Sequence, residues 1–184
     1  MFWSSWKEAA FWIAAVIMTI PSIALFGLLI PVLSLIGQGI AGLFARDAVG
    51  SDERLTVERL LAPTGQTLWV DREAQLDAVT ALSGSGPAYV FYFLEAMTEA
   101  GVGMGLSANQ AYLLAVATFS GASSLAAASA ESPEELRQRV TSKGGTTHAA
   151  ISAMEAAGIK EAFIQAMYAA ELRARVLGDE FGKS

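Results

Sequence analysis

Seven consecutive residues, Thr141-Ser142-Lys143-Gly144-Gly145-Thr146-Thr147, combine the residue types that could hold a small anion. Two adjacent glycines let the backbone bend tightly and come close to a guest. The hydroxyls of Ser142, Thr146 and Thr147 and the charge of Lys143 surround the bend. If a helix starts at the threonines, its first backbone N–H groups have no partner within the helix and carry the positive end of the helix dipole. A carboxylate suits such a site. Ser142, Gly144, Gly145, Thr146 and Thr147 are therefore candidate binding residues. The same residues also fit an ordinary helix–turn–helix link in which the hydroxyls serve only as caps.

Two helices must flank this bend. Ser132 reads as the N-cap of the first, with Pro133 at its first position and Glu135 completing a capping box. The second reads as His148–Ala157, with Thr146 or Thr147 as its N-cap. His148, the sole histidine of the chain, falls in the first turn of that helix. A cation is disfavoured there, so it reads as structural or solvent-facing rather than as a proton donor.

The stretch Pro133–Glu155, PEELRQRVTSKGGTTHAAISAME, resembles the signature of the pyrroline-5-carboxylate reductase family. A second long motif, LDAVTALSGSGPAYVFYFLEAM at Leu76–Met97, precedes it in the family's order. The similarity starts near Ser34-Leu35-Ile36-Gly37 and covers about 150 of the 184 residues. The resemblance implies NAD(P)H-dependent reduction of 1-pyrroline-5-carboxylate to L-proline in the cytoplasm. It also implies a mainly α fold, with a helical dimerisation domain like the C-terminal domain of 6-phosphogluconate dehydrogenase. The expected partners are a second copy, or several, and a small imino acid. The substrate carboxylate would lie on the N–H groups of Gly145, Thr146 and Thr147, near Ser142. Thr80, in the AVTALSGSG run, would donate its hydroxyl hydrogen to the pyrroline nitrogen or hold a water that does so.

Composition narrows the alternatives. A formal charge of -6 argues against nucleic acid as a partner. With no Cys and one His, disulfides, thiolate metal sites and multi-histidine sites have no ligands. The 53% hydrophobic content exceeds what one small core needs and suggests burial between subunits.

Residues 1–33 depart from the resemblance. They carry no G-x-G-x-x-G fingerprint between a strand and a helix, so the cofactor site of the family is largely missing. The chain alone is expected to bind NAD(P)H weakly and to be weakly active or inactive. No charge occurs from Ala9 to Ala45, and Phe11–Ile30 is long enough to cross a bilayer, although Pro21 and Pro31 interrupt it. Three origins fit this apolar leader: a frame-shifted or misjoined stretch, a membrane anchor on a truncated protein, or a helix covering exposed core. The first is favoured, because the similarity begins inside a domain rather than at a polar linker. A non-enzymatic dimerising helical module, anchored through residues 9–33, is the alternative function.

Domains are therefore expected at 1–33 (apolar leader), 34–71 (remnant of a Rossmann domain) and 72–184 (helical dimerisation and substrate binding). In the remnant, Ile40–Ala45 and Thr67–Val70 read as strands forming a small β-pair. Ser51–Ala62 reads as a helix capped by Ser51 and ended by Pro63 and Gly65. Leu76–Glu99 reads as a buried helix, because no charge lies between Asp77 and Glu95, with a kink at Ser83–Pro87. Gly101–Gly105 reads as a linker. Ser107 and Gln110 form a capping box for a helix running to about Ala130, whose alanines and serines suit a subunit interface better than a membrane. The last helix, Ile159–Leu177, presents Phe163, Met167, Ala170, Ala174 and Leu177 as one stripe, with Gly178 as its stop.

Overall fold

The computed structural model describes residues 39–181. The apolar leader expected at 1–33, and the readings of it as anchor or cover, lie outside the described residues. The remainder forms two compact units. One holds the chain up to Pro87 and again from Tyr168, and the other holds Ala88–Met167.

In the first unit, β1 (Gly39–Leu43) and β2 (Gly65–Trp69) pair in parallel, with Gly39 opposite Gly65 and Leu43 opposite Trp69. A parallel pair needs a crossover, and α1 (Ser51–Leu61) with a 3₁₀ turn at Ala62–Thr64 provides it. Val57 and Leu61, one turn apart on α1, pack with Leu43, Ala45 and Val49 into a small core edged by Ala41 and Trp69. Trp69 donates its indole N–H to Glu58 at 2.6 Å, and the Arg54 guanidinium lies 5.1 Å from the ring centroid. Both strands begin earlier than their side chains suggest, because the backbones approach closely at the Gly39–Gly65 pair. A Cβ on Gly65 would run into the Gly39 carbonyl. The cap of α1 is Gly50 rather than Ser51: the Glu53 carboxylate reaches back to the Gly50 amide at 2.7 Å and starts the helix one residue early. Among the described residues the sheet has two strands, so each keeps an edge without a strand partner there.

The segment read as one helix from Leu76 is three pieces. α2 (Gln75–Val79) passes into a π-helical turn at Thr80–Gly84, and α3 (Gly86–Gly103) follows. The break falls where Ser83–Pro87 place it. Pro87 cannot donate to the preceding turn, and the Ser85 amide reaches the Thr80 carbonyl instead, at 2.9 Å.

α3 continues through the glycines read as a linker and stops at Gly105, whose φ of +97° is the left-handed stop conformation. Gly101 is buried because α4 (Ala108–Ala128) lies against it, and a Cβ on Gly101 would stand 2.7 Å from the Ala111 Cβ. Gly101→Val is expected to lower stability by about 2 kcal/mol through overpacking. The pair Gly101→Ala with Ala111→Gly should recover most of the loss, and thermal unfolding of the two variants measures this. The Ser107–Gln110 capping box is present, with the Gln110 amide 3.3 Å from Ser107 Oγ and the Ser107 amide 2.9 Å from Gln110 Oε1.

The expected burial of these helices is not met within one chain. Phe91 is 60% exposed, Tyr92 70%, Leu114 58% and Leu125 55%, and α4 buries only Ala111 and Ala115. Apolar residues on every face say that a helix leaves water, but not that its own chain covers it. Among the described residues α4 is the helix long and apolar enough to cross a membrane, by length and composition alone.

α5 (Pro133–Arg139), α6 (Thr146–Ala156) and α7 (Ile159–Phe181) complete the chain. The stripe Phe163, Met167, Ala170, Ala174 and Leu177 is half-buried, and Phe163 meets Tyr89 and Phe93 edge-on at 5.7 and 5.5 Å. α7 does not stop at Gly178. A helix-interior glycine costs about 1 kcal/mol, and the Arg173–Glu180 ion pair at 3.6 Å bridges that position. Burial raises the Asp77 carboxyl above its usual range, with Arg175 opposing the shift and Glu171 and Asp179 adding to it.

Candidate functional site

The candidate site is assembled by local hydrogen bonds between α5 and α6. Ser132 caps α5 as expected: its hydroxyl accepts the Glu135 amide at 3.3 Å, and the Glu135 carboxylate accepts the Ser132 amide at 2.7 Å. Those bonds from Ser132, the backbone one first, hold the Glu135 carboxyl below its usual range. α5 closes with the Thr141 amide on the Gln138 carbonyl at 3.1 Å and the Thr141 hydroxyl on the Arg137 carbonyl at 2.6 Å.

The next four residues form a tight turn, in which the Gly145 amide donates to the Ser142 carbonyl at 3.0 Å. Gly144 has φ +76° and Lys143 does not have positive φ, which is the type II pattern and requires glycine at that third position. Gly145 then lies extended, φ -80° and ψ 174°, and acts as the N-cap of α6. A Cβ on Gly145 would sit 2.6 Å from Ser142 Oγ, so the second glycine also makes room for the serine.

Two expectations are corrected here. The threonines are the first and second residues of α6, not its cap, because the extended backbone of Gly145 does that work without a side-chain bond. The Gly145 amide faces into the turn, so it is not a free donor. The first intrahelical bond is Ala149 N–H to the Gly145 carbonyl at 3.1 Å. The amides of Thr146, Thr147 and His148 precede it and have no acceptor among the described residues. His148 thus enters the site through its backbone. A helix start at Gly145 would have signalled it, whereas a start one or two residues later hid it. Its side chain is exposed, as are Ser142, Lys143 and Thr146, while Thr147 is half-buried.

Three N–H groups at a helix N-terminus, with a lysine in the adjoining turn, form a positive rim suited to a carboxylate. Ser142, Gly144, Gly145, Thr146 and Thr147 are brought together by one turn. Thr80 belongs to the first unit, as the opening residue of the π-helical turn. Its hydroxyl donates to the Leu76 carbonyl at 2.9 Å, and its own carbonyl accepts the Ser85 amide. The hydroxyl hydrogen expected to point at a substrate is therefore engaged by the helix, a common arrangement for a helical threonine. The oxygen keeps its acceptor capacity.

Residues 73–177, which include Thr80 and the whole turn, match the family model described as pyrroline-5-carboxylate reductase dimerisation. The chain belongs to the pyrroline-5-carboxylate reductase family. The pyrroline-5-carboxylate reductase of Pseudomonas aeruginosa is 45% identical over 150 residues, covering 82% of this chain and 55% of the relative. That of Corynebacterium melassecola is 42% identical over 144 residues, covering 78% and 53%. The solved Coxiella burnetii reductase superposes with a TM-score of 0.72 at 42% identity, over 75% of this chain and 51% of that one. The Plasmodium falciparum pyrroline carboxylate reductase, solved with NADP bound, gives 0.72 at 28% identity, over 78% and 55%. The chain spans about half the length of the reductases it matches.

Proposed function

We propose that this chain supplies the dimerising, substrate-holding part of an NAD(P)H-dependent reduction of 1-pyrroline-5-carboxylate to L-proline. It would work in the cytoplasm as a homodimer or larger homo-oligomer. In this reading residues 34–71 are the end of a dinucleotide-binding domain and 72–184 the dimerisation and substrate domain. The observation that carries the proposal is the family match over residues 73–177, within which lies a turn with three unpartnered amides.

The substrate carboxylate would lie on the N–H groups of Thr146, Thr147 and His148, with the Ser142 hydroxyl in the adjoining turn. Thr80 would face the ring nitrogen as an acceptor and so favour the protonated iminium, whose carbon is the better hydride acceptor. The nicotinamide supplies the hydride when bound. The helix start that the β1–α1–β2 crossover offers does not fit a dinucleotide pyrophosphate, which needs free amides and no competing anion. At α1 the Glu53 carboxylate already holds the Gly50 amide and Asp52 stands beside it.

Titrating L-proline into the ¹⁵N-labelled chain tests the reading. The expected result is saturable displacement of the Thr146, Thr147 and His148 amide resonances, with NADPH binding weaker than micromolar. Proline that leaves those three amides unmoved would overturn the carboxylate assignment.

A further inference from the structure

The direction in which those three amides point depends on the angle between α5 and α6, and within one chain no fully buried residue fixes that angle. Neither helix has a buried residue. Among the described residues one ion pair joins the two helices: Arg137 Nη1 lies 3.6 Å from Glu155 Oε1. The other polar side chains of α5 turn elsewhere. Arg139 pairs with Glu131 at 2.7 Å, Gln138 with Glu134 at 3.3 Å, and Glu135 with its own cap. Arg137 stands in the last turn of α5, where the dipole favours a cation. Glu155 stands near the end of α6, where the dipole disfavours an anion, so the arginine relieves an otherwise misplaced charge. Between the two lies the turn, whose Gly144 is its most permissive joint.

We infer that Arg137 and Glu155 are positioning residues. Their ion pair clasps the elbow and sets the orientation of the Thr146, Thr147 and His148 amides, and with it the affinity for a carboxylate. The affinity part rests on the reading under Proposed function, while the orientation part does not. An exposed pair of this kind adds little to global stability, so its removal should be read at the elbow rather than in the melting curve.

The test is a charge-swap cycle on the full chain, with L-proline as probe. Arg137→Glu and Glu155→Arg should each shift the three amide resonances and weaken proline binding about fivefold, the scale of coupling within one contact pair. The double swap should return both readouts close to the parent values, with helix content and mass in solution constant throughout. Single swaps that move neither readout, or a double swap that restores nothing, overturn the clasp. If the parent chain does not bind proline, the carboxylate reading fails and the clasp is decided by the resonances alone.

Discussion

Leu114→Glu combined with Leu125→Glu should reduce the mass of the protein in solution to that of a single 19.3 kDa chain. The two leucines lie 11 positions apart, about three helical turns, and so share one side of α4. Each is more than half exposed in the isolated chain. An uncharged helix of 21 residues with this surface does not stay open to water in a soluble protein. A second copy laid along it would bury both leucines, each worth about 2 kcal/mol. Replacing them with glutamates removes that gain and adds two carboxylates that must be desolvated without partners. Association should weaken by at least about a thousandfold, a loss on the order of 4 kcal/mol. Light scattering reads the result directly. A double variant that keeps the parent's mass would place the interface elsewhere.

What the residues announced in advance depended on how far each interaction reaches. The capping boxes at Ser107–Gln110 and Ser132–Glu135 were legible because donor and acceptor lie three positions apart. The break after Gly84 was legible because proline removes a donor wherever it stands. The β-pair was legible from two short apolar runs, although its ends were set by the glycine contact between strands. The exposed state of Phe91 and Tyr92 was not legible, since an apolar helix reads the same whether its own chain or another covers it. Gly101 read as a linker because the reason for it, Ala111, lies on the next helix. Gly178 read as a stop although the helix runs on to Phe181, since a glycine inside a helix costs only about 1 kcal/mol. At the candidate site the bend and its residues were visible, but the assignment of donors was not. A glycine can cap a helix through extended backbone alone, and no side chain marks that choice. The bond from the Thr80 hydroxyl to the Leu76 carbonyl was hidden for a similar reason: a helical hydroxyl has a carbonyl one turn back within reach, and no neighbouring side chain marks it.

Thr146→Pro isolates the main-chain part of the site. Proline is tolerated at the first position of a helix because the N–H it lacks has no intrahelical partner there. Gly145, with φ -80° and ψ 174°, already has the extended backbone that a residue before proline requires. The substitution should therefore leave α6 intact while deleting one of the three donors. A hydrogen bond to a charged group contributes about 1.5–3 kcal/mol, so proline affinity should fall by about tenfold to a hundredfold. Thr146→Ala removes the hydroxyl and keeps the amide, and it should retain affinity to within about threefold if the backbone does the binding. Calorimetric titration of both variants separates the two contributions. Equal losses would mean that the threonine hydroxyl, not the helix N-terminus, recognises the carboxylate. An unchanged Thr146→Pro would remove that amide from the site altogether.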